Sequence, residues 1–254
     1  MSKTRKNNKK GALVMAKTNH YLTSVSNRTE FLKKVEKNVI NRYHSVFPKQ
    51  IIIETTGFSN MKCIHCGHKT MKRKKGNMDI NLYKKIIDEI ALKAPETEVW
   101  LTLYGEALLL RYKLYYMIKY AREKGLKYLI LNTNGMLLDD EMINLILESG
   151  LDRFIFSLDG FTRETYNSIR VHGDKDTVYG NVLNLIAEKN EKGLEKPYIE
   201  VQYSVMDENE DELKDFIDYW SKHDVFIKIR EKFTWCSTVE ANNLDKNQER
   251  IACP

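Results

Sequence analysis

Short apolar runs alternate along the chain with longer segments in which apolar residues recur every three or four positions. The short runs predict β-strands at residues 51–53, 99–104, 128–131, 153–157, 198–204 and 225–229. The longer segments predict helices at residues 79–92, 113–123, 140–148, 163–169, 177–189 and 211–221. Nearly continuous apolar strands separated by helices are typical of a parallel sheet that is covered on both faces.

Six such units form either an open doubly wound sheet or a partial barrel, and periodicity alone does not choose between them. In both folds the functional site lies at the carboxyl ends of the strands. Polar segments follow four successive predicted strands, at residues 55–56, 105–106, 132–135 and 157–160. Each segment alone is explained equally well by a turn or a cap, but four in register favour a site.

Charge and apolar spacing divide the rest of the chain. Residues 1–29 contain seven Lys and Arg residues and no acidic one, which predicts a disordered basic arm. Apolar spacing then predicts a helix over residues 30–48, followed by the core over residues 49–232. The arm accounts for the formal charge of +6, and nucleic-acid binding is not favoured because the arm lacks interleaved aromatic residues.

Composition and cysteine content narrow the class of protein. Hydrophobic residues make up 42% of the chain and charged residues 30%, as in ordinary soluble globular proteins. Four cysteines are too few for a disulfide framework, and no apolar run near the start is long enough for a secretory signal or a membrane span. We therefore expect a cytoplasmic protein with reduced thiols and no membrane partner.

The loop after the first predicted strand contains Cys63 and Cys66 at C-x-x-C spacing. Two cysteines at this spacing bind one metal ion or cluster, or form a redox-active pair. A thioredoxin-like pair opens a helix, whereas a long polar loop follows here. Zinc, with His65 or His68 as further ligands, is another open alternative.

This loop and several later motifs resemble the radical SAM superfamily over roughly residues 45–235. The family signature is C-x-x-x-C-x-x-C after the first strand, commonly with an aromatic residue before the third cysteine, and His65 occupies that position. Similar elements are Met78 and residues 104–107, 133–135, 157–160 and 162–170, the last of which also resembles the branch with C-terminal SPASM cluster domains. The resemblance implies an α/β fold, a partial (β/α)6 TIM-like barrel of the radical SAM type.

The resemblance also implies an activity. Three thiolates hold a [4Fe–4S] cluster and leave one iron open, to which S-adenosylmethionine (SAM) binds. Reductive cleavage of SAM gives a 5′-deoxyadenosyl radical that abstracts hydrogen from a peptide or small-molecule substrate. A one-electron donor such as a flavodoxin or ferredoxin is the implied partner. The alternative is a barrel without a cluster that only binds SAM or substrate.

Five residues receive a role in SAM binding from the resemblance. Glu106 would accept hydrogen bonds from the SAM amino group, where a carboxylate matches an ammonium. Ser157 and Asp159 would contact the carboxylate and ribose, Asn134 would face SAM, and Arg170 would pair with the SAM carboxylate. The ordinary alternatives are a surface carboxylate for Glu106, plain turns for Asn134 and Asp159, and a helix-surface arginine for Arg170.

The chain departs from the signature at Ser59, where the family has its first cluster cysteine. A serine hydroxyl is a harder ligand than a thiolate, and its deprotonation is costly. Three interpretations stay open: Ser59 binds the cluster weakly beside Cys63 and Cys66, a remote or non-protein ligand replaces it, or the cluster is lost.

Residues 233–254 contain the remaining two cysteines, Cys236 and Cys253. In SPASM-type relatives, cysteines just beyond the barrel begin the ligand set of auxiliary clusters. We therefore expect these residues to start a SPASM-like extension that is cut short at Pro254. Two unrelated free thiols are the alternative.

Overall fold

The structure is a computed structural model that describes residues 47–231. The arm predicted for residues 1–29 and the extension predicted for residues 233–254 lie outside the described residues. The same holds for the helix predicted over residues 30–48, except its last two positions.

Within the described residues, six parallel strands form one sheet in which neighbouring strands follow in chain order. They are β1 (Gln50–Ile52), β2 (Glu98–Trp100), β3 (Tyr128–Thr133), β4 (Arg153–Ser157), β5 (Tyr198–Ser204) and β6 (Phe226–Arg230). A doubly wound sheet reverses its strand order near the middle, whereas sequential order arises when every crossover moves the same way around the sheet. The strand order therefore confirms the partial (β/α)6 barrel, which is open between β1 and β6.

In the part of the chain that the structure describes, six α-helices lie in the connections between these strands. They are α1 (Ile80–Lys93), α2 (Tyr112–Glu123), α3 (Asp140–Ser149), α4 (Arg163–Ile169), α5 (Lys175–Glu191) and α6 (Leu213–Trp220). The Asp79 carboxylate accepts hydrogen bonds from the amides of Asn81 and Leu82, so α1 begins where its cap is predicted. Gly150 ends α3 with a φ of 84°, a left-handed conformation that favours glycine.

Strand β2 is shorter than predicted. It ends at Trp100, although the apolar run continues to Tyr104. Beyond it, the Thr102 hydroxyl donates to the Asn132 carbonyl at 2.9 Å, and the Tyr104 amide donates to the Glu54 carboxylate at 3.2 Å. These hydrogen bonds involve side chains and are not part of the backbone ladder between strands. Residues 102–106 therefore leave the sheet and line the cavity at its carboxyl end.

The two faces of the sheet have different environments. Phe154 and Phe156 pack in the apolar core between the sheet and the helices, with ring centroids 4.5 Å apart. Ile155 points to the opposite, inner face, where it is also fully buried. Burial on both faces is the arrangement that the continuous apolar strands predict. Among the described residues, no helix combines the length and the apolar character needed to cross a bilayer.

Candidate functional site

A cavity of about 700 Å³ opens at the carboxyl ends of the strands. Its walls come from the loop after β1 and from polar residues at the ends of the inner faces of the later strands. These strand residues are Asn132, Ser157, Gln202, Ser204 and Arg230. The polar segments that the sequence places after successive strands thus meet around one space, as expected for a parallel barrel.

The signature positions Ser59, Cys63 and Cys66 all line this cavity. Backbone hydrogen bonds hold their loop against the end of α4: the Lys62 amide donates to the Val171 carbonyl at 2.9 Å, and the Ile64 amide to the Ile169 carbonyl at 3.0 Å. The three candidate ligands are therefore fixed on one wall by contacts with a distant part of the chain.

The two cysteines lie in different environments. Cys63 is buried, and its sulfur is 3.5 Å from Nη1 of Arg170. Cys66 is half-buried, and its sulfur accepts the His68 amide at 3.4 Å. Burial raises the pKa of the Cys66 thiol, and the His68 amide opposes that rise only in part.

The structure gives no support to the zinc alternative. Within residues 47–231, no group of three or more His, Cys, Asp or Glu side chains is arranged to hold a metal ion. Nε2 of His68 lies 2.9 Å from the Gly57 carbonyl, and Nε2 of His65 lies 3.6 Å from the Asp159 carboxylate. Both rings are thus engaged with other protein groups.

Glu106 is buried at the cavity wall, so the interpretation as a surface carboxylate is wrong. Its carboxylate accepts hydrogen bonds from the Thr133 hydroxyl at 2.8 Å and from the Asn134 and Leu108 amides at 2.8 and 3.1 Å. Burial raises the pKa of Glu106, and these three donors counteract that rise. The neighbouring Gly105 fits only as glycine, because an added Cβ would lie 1.9 Å from the Thr56 carbonyl oxygen.

Asn134 and Ser157 also line the cavity. The Asn134 side chain donates to the Asn60 side chain at 2.8 Å and accepts the Met136 amide at 3.0 Å. The Ser157 hydroxyl donates to the Asn132 side chain at 3.0 Å. Asn134 therefore makes a turn, as one interpretation of the sequence predicts, and also ties that turn to the loop that carries Ser59.

Asp159 and Arg170 form a buried ion pair behind the cavity wall. Arg170 lines the cavity, which makes the helix-surface interpretation wrong, whereas Asp159 is not among the lining residues. The other carboxylate oxygen of Asp159 accepts a hydrogen bond from the Ser204 amide at 2.7 Å. The backbone of Asp159 has a φ of 55°. Burial alone would lower the pKa of Arg170, but Asp159 and Cys63 outweigh it and raise that pKa, so the guanidinium is charged.

Sequence reasoning did not single out several lining residues: Asn60, Lys62, Gln202, Ser204 and Arg230. A signal for two of them is present, because Glu200, Gln202 and Ser204 alternate with apolar residues along β5. Such alternation places polar side chains on one face of a strand. Arg230 carries no comparable local signal.

Comparison with protein families decides the assignment. The model of the radical SAM superfamily matches residues 53–219, which include the cavity-lining loop and the four strands β2 to β5. The chain belongs to the radical SAM superfamily. The strand order, the position of the cavity and the loop with Cys63 and Cys66 are the structural features that agree with this radical SAM assignment.

The alignments with individual relatives cover only part of each relative's length. A tungsten-containing aldehyde ferredoxin oxidoreductase cofactor-modifying protein from Pyrococcus furiosus is 28% identical over 67% of this chain and 48% of that protein. An AdoMet-dependent heme synthase from Methanosarcina barkeri is 32% identical over 48% of this chain and 34% of that protein. The chain thus spans less than half of the length of these two relatives.

The fold of this chain is similar to that of Streptococcus suis SuiB. The structure of SuiB bound to S-adenosylmethionine has a TM-score of 0.61 and 16% identity, over 85% of this chain and 49% of SuiB. The structure of SuiB bound to its precursor peptide SuiA has a TM-score of 0.60 and 15% identity, over 88% of this chain and 49% of SuiB. At this identity the similarity shows the fold alone.

The donor set determines how well the site fits the cofactors of the superfamily. A [4Fe–4S] cluster bound in the usual way takes three thiolates, and this wall offers two thiols and the Ser59 hydroxyl. The wall therefore offers two sulfurs and one oxygen where the superfamily has three sulfurs. The cavity volume lies within the range of small-molecule sites, and its lining includes the Glu106 carboxylate and the Arg170 guanidinium, which are opposite in charge to the ammonium and the carboxylate of SAM.

Proposed function

We propose that this chain is a radical SAM enzyme that holds a [4Fe–4S] cluster on Cys63, Cys66 and Ser59 and binds SAM in the adjoining cavity. The single observation that carries the proposal is the convergence of these three side chains with Glu106 and Arg170 on one cavity at the carboxyl ends of the strands. When bound, the cluster supplies the electron for reductive cleavage of SAM to a 5′-deoxyadenosyl radical, which abstracts hydrogen from the substrate.

The protein groups have binding and orienting roles in this proposal. The Glu106 carboxylate, held by its three donors, accepts hydrogen bonds from the SAM ammonium. Arg170 pairs with the SAM carboxylate, and Asp159 keeps its guanidinium in place from behind. Ser157 and Asn134 contribute further polar contacts at the wall.

Relatives support a substrate that is a peptide or a small molecule. SuiB binds a precursor peptide, whereas the names of the two sequence relatives describe modification of a cofactor and synthesis of heme. A flavodoxin or ferredoxin as electron donor, and a SPASM-like extension at residues 233–254, belong to the same proposal.

Anaerobic reconstitution with iron and sulfide tests the role of position 59. We compare the unmodified chain with Ser59→Ala and Ser59→Cys, with Ser221→Cys on an exposed helix end as control for an added thiol. The readouts are bound iron and sulfide, the visible charge-transfer absorption, and 5′-deoxyadenosine released from SAM after reduction. The proposal expects a cluster in the unmodified chain, less in Ser59→Ala and more in Ser59→Cys, while Ser221→Cys matches the unmodified chain.

The serine at position 59 also favours a second candidate function, a barrel without a cluster that binds SAM or substrate only. In that case the unmodified chain and Ser59→Ala both stay colourless, and only Ser59→Cys gains a cluster. Binding of SAM to the iron-free, unmodified chain, measured by calorimetry, would then be retained. This pair of results would replace the first proposal with the second.

A further inference from the structure

The cavity mouth contains more positive charge than SAM recognition uses. The basic side chains that line it are Lys62, Lys69, Lys75, Arg170 and Arg230. Among the lining residues, the opposing negative charge is that of Glu106, which is buried and satisfied by three donors. The mouth is therefore cationic.

Not all of these cations are available to a ligand. The charge of Arg170 is balanced by its ion pair with Asp159. The Lys69 ammonium donates to the Ile64 carbonyl at 2.7 Å. Lys62 and Lys75 are exposed, and neither forms an ion pair with another described residue. No described acidic side chain therefore balances these two lysines at the mouth.

The cations come from both edges of the open sheet. Lys62 lies beside Cys63 in the loop after β1. Lys75 lies in the segment that returns to that loop, where the Gly57 amide donates to the Gly76 carbonyl at 2.8 Å. Arg230 is the last residue of β6, the opposite edge strand. The positive groups thus come from the two edge strands of the sheet or from segments next to them.

We propose that the substrate is an anion whose carboxylate or phosphate groups are bound by Lys62 and Lys75. Gathering like charges at a concave site is unfavourable unless a ligand of opposite charge occupies it, and a cleft lined by one sign of charge concentrates such ligands. Gln202 and Ser204, on the inner face of β5, supply neighbouring hydrogen-bonding groups for the same ligand. This inference rests on the proposed function, because it names the substrate class of that site.

Calorimetric titration of the iron-free full chain with inorganic pyrophosphate and, separately, citrate tests the inference without an activity assay. The variant is Lys62→Gln with Lys75→Gln, and the control is Lys85→Gln with Lys222→Gln, two exposed lysines that do not line the cavity. We expect the unmodified chain to bind at least one anion, and binding to weaken about tenfold or more in the variant but not in the control. The preferred anion distinguishes phosphate from carboxylate recognition.

Three results would overturn the inference: no binding of either anion, equal weakening in variant and control, or loss of anion binding when SAM is added to reconstituted protein. The last result would assign the cations to the SAM site. If SAM does not bind while the anion does, the proposed function fails and the anion site stands. If SAM binds and neither anion does, only the inference fails. Superimposable urea unfolding curves establish that the variants fold.

Discussion

The two ends of the same sheet use charged residues differently. At the amino ends, charged side chains pair with one another close to the surface. These pairs are Glu96 with Lys127, Arg153 with Glu200, and Asp152 with Arg122 and Lys196. Each pair joins neighbouring strands or the connections that lead into them, so charge at this end contributes to holding the barrel together.

At the carboxyl ends, Arg73 with Glu54 and Arg111 with Asp139 also form ion pairs that reach solvent, but the charged groups at the cavity differ from these pairs. Asp159 and Arg170 form a pair that is almost fully shielded from solvent, while Lys62 and Lys75 face the cavity mouth without an ionic partner among the described residues. A preorganised buried pair and lysines without an ionic partner at a concave surface suit ligand binding. At the amino ends, by contrast, each of the charged groups named above already has an ionic partner. The difference shows which end of the barrel is built for a site.

The largest expected effect concerns the buried pair. Asp159→Asn leaves the Arg170 charge uncompensated, so we expect the free energy of unfolding to fall by about 3–5 kcal/mol. At the amino end, Asp152→Asn should cost about 1–3 kcal/mol, because Arg122 and Lys196 reach solvent once the carboxylate is gone. Urea unfolding followed by circular dichroism measures both. Equal losses would show that the two ends do not differ in the burial of their charges.

The next expected effect concerns backbone packing. Gly105→Ala would bring a Cβ to within 1.9 Å of the Thr56 carbonyl, so we expect a loss of about 3 kcal/mol. At the amino end, Gly125 has a φ of 91° and open space around it, so Gly125→Ala should cost only about 1 kcal/mol of backbone strain. Thermal and urea unfolding of the two variants compare the ends directly. A loss for Gly125→Ala as large as that for Gly105→Ala would contradict the tighter packing at the carboxyl end.

A smaller effect depends on pH. Glu212, which follows β5, accepts hydrogen bonds from the Phe161 and Thr162 amides at 2.8 and 3.1 Å and from the Thr165 hydroxyl at 2.6 Å. Burial opposes ionisation of Glu212, but hydrogen bonds from Thr162 and Thr165 outweigh it and lower its pKa below the usual 4.5. The stability it contributes is therefore present above pH 4.5 and lost as the pH falls through its lowered pKa.

Glu212→Gln should thus lower the stability at pH 7 by less than about 1 kcal/mol, because the site is partly exposed. The difference from the unmodified chain should disappear at acidic pH. Urea unfolding at a series of pH values measures this, with Glu148→Gln on an exposed helix position as control. A difference that persists unchanged into acid would show that the charge of Glu212 is not responsible.

The smallest expected change in stability concerns one exposed lysine at each end of the sheet. Lys127→Gln removes the ion pair with Glu96, in which both side chains are 59% exposed, so we expect a slight loss of stability that salt abolishes. Lys75→Gln at the cavity mouth removes no ion pair and should leave stability unchanged. Urea unfolding at low and high salt compares the two. A loss in Lys75→Gln as large as in Lys127→Gln would mean that the mouth lysine has a structural role.

Local features of the fold were predictable because local interactions determine them. The cap at Asp79 and the left-handed end at Gly150 depend on residues within one helical turn, and both lie where the sequence predicts them. The end of β2 was not predictable in this way. Its apolar run continues to Tyr104, but hydrogen bonds to the distant residues Asn132 and Glu54 take the backbone out of the sheet.

The candidate site shows the same division. Cys63 and Cys66 were recognised from their spacing, Ser59 from the family resemblance, and Glu106, Asn134 and Ser157 from their positions after strands. All six line the cavity. The burial of Arg170 was not predictable, because it depends on contacts with Asp159 and with Cys63, which lies 107 residues earlier in the chain. The basic residues at the mouth were likewise scattered in the sequence.

The sequence by itself determined the succession of strands and helices along the chain, the loop with Cys63 and Cys66, and the resemblance to the radical SAM superfamily, because all three depend on residues close together in the chain. The tertiary structure showed the strand order within the sheet, which periodicity left open, buried Asp159 behind Arg170, and brought Lys62, Lys75 and Arg230 to one mouth. The physical reason is that strand order and side-chain convergence arise from long-range packing, which local periodicity does not encode.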